Sequence, residues 1–173
     1  MNESSTRSGA SVVAERTEGD AVTHPRLFLT VALGWVLLDQ LTKSWAQHSL
    51  TGAPVHVVGS LQFELTYNSG ASFSLGTGLG PWIAVGALAV VAALVWVGRS
   101  ARSRLGAVAL GLIVGGALGN VIDRAFRSGG GFLQGSVIDF IDLQWWPVFN
   151  IADVGVVCGA ILLVITTFRG TAT

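Results

Sequence analysis

Between residues 136 and 157 the chain reads Ser136-Val-Ile-Asp139-Phe-Ile-Asp142-Leu-Gln-Trp-Trp-Pro-Val-Phe-Asn150-Ile-Ala-Asp153-Val-Gly-Val-Val. This stretch places carboxylates in sequence that is otherwise apolar enough for lipid. An ionisable side chain inside a bilayer costs on the order of 3 kcal/mol, so each one found there is a candidate for function. Asp139 and Asp153 flank a short turn, which allows them to meet. Paired carboxylates at a membrane surface indicate acid–base hydrolysis.

The rest of the chain has the composition of a membrane protein. Hydrophobic residues make up 51% of the 173 residues and charged residues 12%, about half the share that is typical of soluble domains. A helix needs roughly 20 apolar residues to cross a bilayer, and segments near that length lie at about 27–45, 79–98, 105–122 and 147–168. We therefore predict an all-α polytopic membrane protein, with four transmembrane helices in one domain at residues 26–169. The polar residues 1–25 are predicted to be a disordered cytoplasmic tail.

The basic residues predict the orientation of these helices. They concentrate before the first segment, in the second loop and after the fourth segment, at Arg7, Arg16, Arg26, Arg99, Arg102, Arg104 and Arg169. Under the positive-inside rule both termini are cytoplasmic, and the polar residues of interest lie toward the outer face.

The segment at about 54–74 has a different pattern. Leu61, Phe63, Leu65 and Tyr67 alternate with polar residues, and a period of two is typical of a half-buried strand. Val55-His-Val-Val precedes it across Gly59-Ser60. We predict a small β-sheet element on the outer membrane face.

Other acidic residues lie in or beside the apolar segments. Asp39 and Lys43 are four residues apart in the first segment, the spacing of a favourable ion pair on a helix. Asn120, Asp123 and Arg124 form a second polar cluster. We expect that cluster to have a structural or substrate-positioning role.

Asp139 and Asp153 are the better catalytic pair on local grounds. Burial and a like charge both disfavour ionisation, so two close carboxylates tend to share one proton. One then acts as a base on water while the other polarises a carbonyl. Spacing alone is compatible with a structural polar network in place of a catalytic pair. It is also compatible with Asp142, rather than Asp139, as the partner of Asp153.

Other chemistries have less support in the sequence. His24, His48 and His56 do not form a metal-binding pattern, and Ser72 and Ser74 have no His or Lys partner at a recognisable spacing. The formal net charge is zero, so no electrostatic argument for nucleic acid arises.

Five short motifs occur in order along the chain: Asp39-Gln-Leu-Thr-Lys43, Asn68-Ser-Gly-Ala-Ser-Phe73, Gly115-Gly-Ala-Leu-Gly-Asn-Val-Ile-Asp-Arg124, Val137-Ile-Asp-Phe-Ile141 and Phe149-Asn-Ile-Ala-Asp153. Together they closely resemble the lipoprotein signal peptidase family, the type II signal peptidases of bacteria. The resemblance runs from about Leu27 to Phe168. The stretch from Arg124 to Asp139 is several residues longer than in better-known members, and it would lie over the site.

The resemblance implies an intramembrane aspartyl endopeptidase of the bacterial cell membrane. It would remove signal peptides from diacylglyceryl-modified prolipoproteins, cutting before the lipidated cysteine. The family pattern assigns the catalytic pair to Asp139 and Asp153. The residues that match its substrate-positioning groups are Asn68, Asn120, Arg124 and Asn150, and those that match its supporting network are Asp39, Lys43 and Asp123. The resemblance implies no metal and no cofactor, and we expect a monomer in contact with membrane lipid.

Three other functions fit parts of the pattern. A different intramembrane aspartyl protease would not require a lipidated substrate. A small proton-coupled transporter would also place Asp and Arg in the membrane, although the four segments show no internal repeat. The third alternative is a non-enzymatic assembly factor.

Overall fold

The computed structural model describes residues 23–69, 80–127 and 131–170. In these ranges the elements are α1 (Pro25–Ser49), β1 (Val55–Val58), β2 (Leu61–Asn68), α2 (Gly80–Gly98), α3 (Arg104–Phe126), β3 (Val137–Asp142) and α4 (Ile151–Gly170). Nearly all of the predicted tail, the end of the predicted strand segment with Ser72 and Ser74, and part of the long 124–139 connection lie outside the described residues.

Three of the described helices are long and apolar enough to cross a membrane. They are α2, α3 and α4, whose apolar stretches have mean hydropathies of 2.1, 2.0 and 2.3. Helix α1 has 25 residues, about 37 Å at 1.5 Å per residue, but it carries Asp39, Gln40 and Lys43. The crossing of the membrane by α1 therefore stays a prediction, and so does the total of four transmembrane helices.

Helix α3 is the central helix of the bundle. Half of its apolar stretch is buried, against 17% for the corresponding stretches of α2 and α4. Glycine permits its close contacts: a Cβ on Gly115 would lie 2.6 Å from the carbonyl oxygen of Ala32 in α1, and a Cβ on Gly159 in α4 would lie 2.6 Å from that of Ala109 in α3. Small residues let membrane helices pack at short range, as their spacing predicted.

The sheet has three strands in the order β1-β2-β3, and both pairings are antiparallel. The predicted sheet is thus confirmed, but β3 was not predicted. The sheet packs on the end of α1 through aromatic side chains: the ring centroid of Trp45 lies 5.6 Å from that of Phe63 and 6.0 Å from that of Phe140. These edge-to-face contacts and the buried Ala46 and Ile138 anchor the sheet to the helix bundle.

Two predicted helix ends were wrong. Helix α1 continues to Ser49 rather than ending near residue 45, because its charged residues are buried among partners instead of marking the end of the helix. Helix α4 begins at Ile151 rather than at Pro147. The backbone of Phe149 is still paired with Ile141 of β3, with N–O distances of 3.0 and 2.9 Å, which keeps the chain extended up to Asn150.

Candidate active site

Asp139 lies in β3 opposite Thr66 of β2, and its side chain is buried. Asn150 Nδ2 donates a hydrogen bond to its Oδ1 at 2.6 Å, and Asn68 Nδ2 donates to its Oδ2 at 3.1 Å. Burial raises the pKa of the Asp139 carboxyl from 3.8 to about 6; the nearby charge of Asp153 adds to the rise, and the two amide hydrogen bonds oppose it. Asp139 is therefore a carboxyl that holds a proton unusually well.

Asp153 is the third residue of α4, and Asn150 precedes the helix as its cap. The backbone N–H of Asp153 donates to Asn150 Oδ1 at 3.1 Å, and the backbone N–H of Asn150 donates to Asp153 Oδ2 at 3.1 Å. This reciprocal arrangement is a capping box. Asn150 thus lies before the helix, although the predicted helix of residues 147–168 includes it; it caps the helix and fixes the direction of the Asp153 carboxylate.

Two asparagines connect the carboxylates. Asn150 contacts both aspartates, and its Nδ2 also donates to Asn120 Oδ1 at 3.1 Å. Asn120 Nδ2 in turn donates to Asp153 Oδ1 at 2.9 Å. Both aspartates line one cavity of about 610 Å³. The structure therefore brings the predicted pair to one place.

The other predicted site residues surround the same cavity. Asn68, Asn120 and Arg124 line its wall, and Asn150 is fully buried beside it. The guanidinium of Arg124 interacts electrostatically with Asp139 and Asp123. Apolar residues of α2 and α3 form one side of the cavity, among them Ile83, Ala84, Ala87 and Ala117, and residues 146–149 before α4 form another.

Asp39, Lys43 and Asp123 form a fully buried charged cluster beneath the cavity. Lys43 Nζ lies 2.8 Å from Asp39 Oδ2 and 2.8 Å from Asp123 Oδ2. The two carboxylates also accept hydrogen bonds from backbone N–H groups. Asp39 accepts from the N–H of Ala152 at 2.9 Å, and Asp123 accepts from the N–H of Ile138 at 3.2 Å. Ala152 and Ile138 immediately precede the two aspartates of the site, so the cluster fixes the backbone beside each of them.

The cluster also contacts the site through Asn120. Lys43 Nζ donates to Asn120 Oδ1 at 2.8 Å. Because an amide has one acceptor oxygen and one donor nitrogen, a cation on the oxygen leaves the nitrogen facing Asp153. The ion pair predicted from the spacing of Asp39 and Lys43 is present, but it is part of a larger network.

Sequence reasoning missed three polar residues of this network. Arg127 Nε donates to Asp123 Oδ1 at 2.6 Å, Gln40 Nε2 donates to Asp123 Oδ1 at 3.1 Å, and Trp35 Nε1 donates to the carbonyl oxygen of Ile151 at 3.0 Å. Arg127 follows Asp123 by four residues, which is the one signal in the sequence that was available for it.

Asp142 lies apart from the catalytic cavity. Its Oδ2 accepts from Gln62 Nε2 and its Oδ1 from the backbone N–H of Gln144, both at 2.6 Å. Gln144 has a φ of +65°, so Asp142 stabilises a strained turn after β3. The alternative of Asp142 as a partner in the pair is not supported by this placement. Within the described ranges, no three His, Cys, Asp or Glu side chains come together as a possible metal site.

Three apolar helices of membrane-spanning length, with two aspartates that line one cavity, define a multi-pass membrane protein with a polar site. The family model described as signal peptidase (SPase) II matches residues 31–169 of the chain. The chain therefore belongs to the signal peptidase II family and is a membrane protease.

Individual relatives agree with the family match. The chain is 46% identical over 153 residues to the lipoprotein signal peptidase of Rhodococcus jostii (strain RHA1), covering 86% of this chain and 77% of the relative. It is 48% identical over 147 residues to that of Mycolicibacterium smegmatis, covering 84% of this chain and 62% of the longer relative. A solved structure described as a bacterial membrane enzyme superposes with a TM-score of 0.74 at 28% identity, covering 86% of this chain and 92% of that one.

Proposed function

We propose that this protein removes the signal peptide from bacterial prolipoproteins as an aspartic endopeptidase, with Asp139 and Asp153 as the catalytic residues. It cuts before the cysteine that carries the diacylglyceryl group. The observation that carries the proposal is that Asn150 joins the buried carboxyl of Asp139 to the half-buried Asp153 at one cavity. The family membership supplies the substrate class.

The two carboxylates share one proton, because two close carboxylates, one of them buried, do not both ionise readily. The raised pKa of Asp139 favours Asp139 as the carboxyl that holds it. Asp153 takes a proton from a water molecule as the water oxygen bonds to the scissile carbonyl carbon. Asp139 donates a hydrogen bond to the carbonyl oxygen. When the intermediate collapses, the C–N bond breaks and the leaving nitrogen receives the proton taken from water.

The polar residues of the cavity wall position the peptide. Asn68, Asn120 and Arg124 lie around the pair, within reach of the peptide groups on either side of the scissile bond. The charged cluster of Asp39, Lys43 and Asp123 acts indirectly, through Asn120 and through the backbone that it holds beside each aspartate.

We place the site at the outer face of the bacterial cytoplasmic membrane, with both termini in the cytoplasm, and we expect the enzyme to work as a monomer. Arg99 and Arg102 lie between α2 and α3 and Arg104 is the first residue of α3, at the opposite end of that helix from Asn120 and Asp123. Basic loops favour the cytoplasmic side. Water reaches the carboxylates from the outer side without crossing the centre of the bilayer.

The test is cleavage of a purified diacylglyceryl-modified prolipoprotein by the purified full-length protein. Asp139→Asn and Asp153→Asn are each expected to abolish cleavage, since each removes one carboxyl of the pair. Asp142→Asn is the matched control from the same strand and retains activity. Full activity in either of the first two variants contradicts the assignment. Equal cleavage of unmodified substrate contradicts the lipid requirement.

A further inference from the structure

An apolar groove lies beside the catalytic cavity, between one face of α4 and the segment that precedes this helix. It has a volume of about 410 Å³. Val154, Val157 and Cys158 form one side; their spacing of three and four residues puts them on one face of the helix. Trp145 and Trp146 form the other side, with ring centroids 6.2 Å apart in an edge-to-face pair.

The groove adjoins the catalytic cavity. Trp146, Phe149 and Asp153 line both spaces, so a molecule in the groove lies against the same aspartate that faces the cavity. Asp153 is the only charged residue that lines the groove among the described residues. The catalytic cavity, in contrast, contains both carboxylates, two amides and Arg124.

We propose that this groove binds the acyl chains of the diacylglyceryl group on the substrate's cysteine. The proposal rests on the proposed function, which requires such a substrate. Peptide groups lose free energy on burial unless they find hydrogen-bond partners, so the peptide belongs in the polar cavity. Acyl chains need no such partners and gain from apolar burial, so they belong in the groove.

The chemistry of the substrate requires the lipid to bind close to the bond that is cleaved. The bond that breaks ends at the nitrogen of the modified cysteine. The first atoms of the lipid therefore lie within about two residue lengths, roughly 8 Å, of the attacked carbon. The groove begins at Asp153 itself and meets this condition. Its exposed tryptophans are of the residue type that favours the membrane–water interface, where the glycerol of a diacylglyceryl group lies.

The first experiment fills the groove. Val157→Trp places a large side chain inside it, and Val164→Trp is the control on the same helix two turns farther on. The two valines have similar exposure, 57% and 54%, and Val164 does not line the groove. The kcat/KM is measured for one prolipoprotein peptide that carries either dipalmitoylglyceryl or dihexanoylglyceryl on its cysteine.

We expect Val157→Trp to lower the ratio of kcat/KM for the long-chain to the short-chain substrate by about tenfold, equivalent to about 1.4 kcal/mol. The loss should appear mainly in KM. Val164→Trp should leave the ratio unchanged. An unchanged ratio in Val157→Trp, or equal falls in both variants, overturns the groove assignment while leaving the proposed function intact.

The second experiment uses Cys158, which is the single cysteine of the sequence and is exposed. In an Asp139→Asn background, which binds substrate without turnover, maleimide labelling of Cys158 is expected to slow at least about fivefold with the dipalmitoylglyceryl peptide. The unlipidated peptide should give no protection. Equal labelling rates with and without the lipidated peptide overturn the groove assignment. Cleavage of the unlipidated peptide as fast as the lipidated one by the native enzyme would instead contradict the proposed function.

Discussion

Replacing Asp139 with asparagine is expected to raise the stability of the fold at neutral pH while it abolishes cleavage. The carboxyl has an ordinary pKa of 3.8, and burial raises the pKa to about 6 in the folded protein. The folded protein therefore binds this proton more tightly than the unfolded chain does. The resulting stabilisation is complete below about pH 4 and is lost as the pH rises through 6.

The magnitude follows from the difference between the two pKa values. It is about 2.2 units, which at about 1.36 kcal/mol per unit makes a total of about 3 kcal/mol, of which about 2.4 kcal/mol is lost from the free energy of unfolding between pH 4 and pH 7. Asparagine has no such titration. Its carbonyl oxygen keeps the hydrogen bond from Asn150, but its NH₂ group faces the donor of Asn68, at a cost of about 1 kcal/mol. The variant should be about 0.5 kcal/mol less stable at pH 4 and about 2 kcal/mol more stable at pH 7.

The assay is denaturant unfolding of the purified protein in detergent from pH 4 to pH 7, followed by the fluorescence of its six tryptophans. Asp142→Asn is the control, because it removes a carboxylate from the same strand that is bonded to Gln62 and to the turn. It should keep the pH dependence of the native protein. If Asp139→Asn shows that same dependence, or is less stable than the native protein at pH 7, the burial argument is refuted.

Three further substitutions test the network around the site. Gly119→Ala should destabilise the fold by about 2 kcal/mol in thermal unfolding, because the new Cβ would collide with Asp39 Oδ2. The control Gly34→Ala has open space around the new Cβ and should be neutral or stabilising. Equal effects of the two substitutions would contradict the close contact between Gly119 and Asp39. Lys43→Met should cost about 3–5 kcal/mol, since it removes the cation that the buried Asp39 and Asp123 share, while Asp123 keeps its ion pair with Arg127; a loss below about 1 kcal/mol would contradict this. Asn150→Ser keeps a capping oxygen and should be about 1 kcal/mol more stable than Asn150→Ala, yet neither should cleave substrate; activity in the serine variant would show that the amide donor is dispensable.

Much of the fold was predictable because the apolar segments are long and separated by polar turns. Strand β2 was also predictable, since Leu61 to Tyr67 alternates. Strand β3 was not, because it is buried on both faces and its sequence Val-Ile-Asp-Phe-Ile shows no alternation. The same strand carries Asp139. The identities of Asp139 and Asp153 in an apolar sequence were therefore enough to predict the proposed catalytic pair, although the local pattern did not predict the strand that holds Asp139.

The start of α4 shows a second limit. Pro147 is a residue type that often begins helices, and the apolar run continues through it. The helix nevertheless begins four residues later, because Phe149 pairs with β3 and Asn150 caps the helix. The pairing of Phe149 depends on a strand that lies earlier in the chain, so no local pattern could reveal it, whereas the cap joins Asn150 to Asp153 three residues later and is a local signal.

The buried charged cluster has a consequence for how the protein is made. Asn120 follows Lys43 by 77 residues and Ala152 follows Asp39 by 113. At about 5–20 residues per second, ribosomes need roughly 4–15 s to bring Asn120 to its partner. During that time α1 holds an ion pair whose remaining partners have not been synthesised. Asp153 lies in the first turn of α4, so the two proposed catalytic residues are both present only after translation has reached that helix.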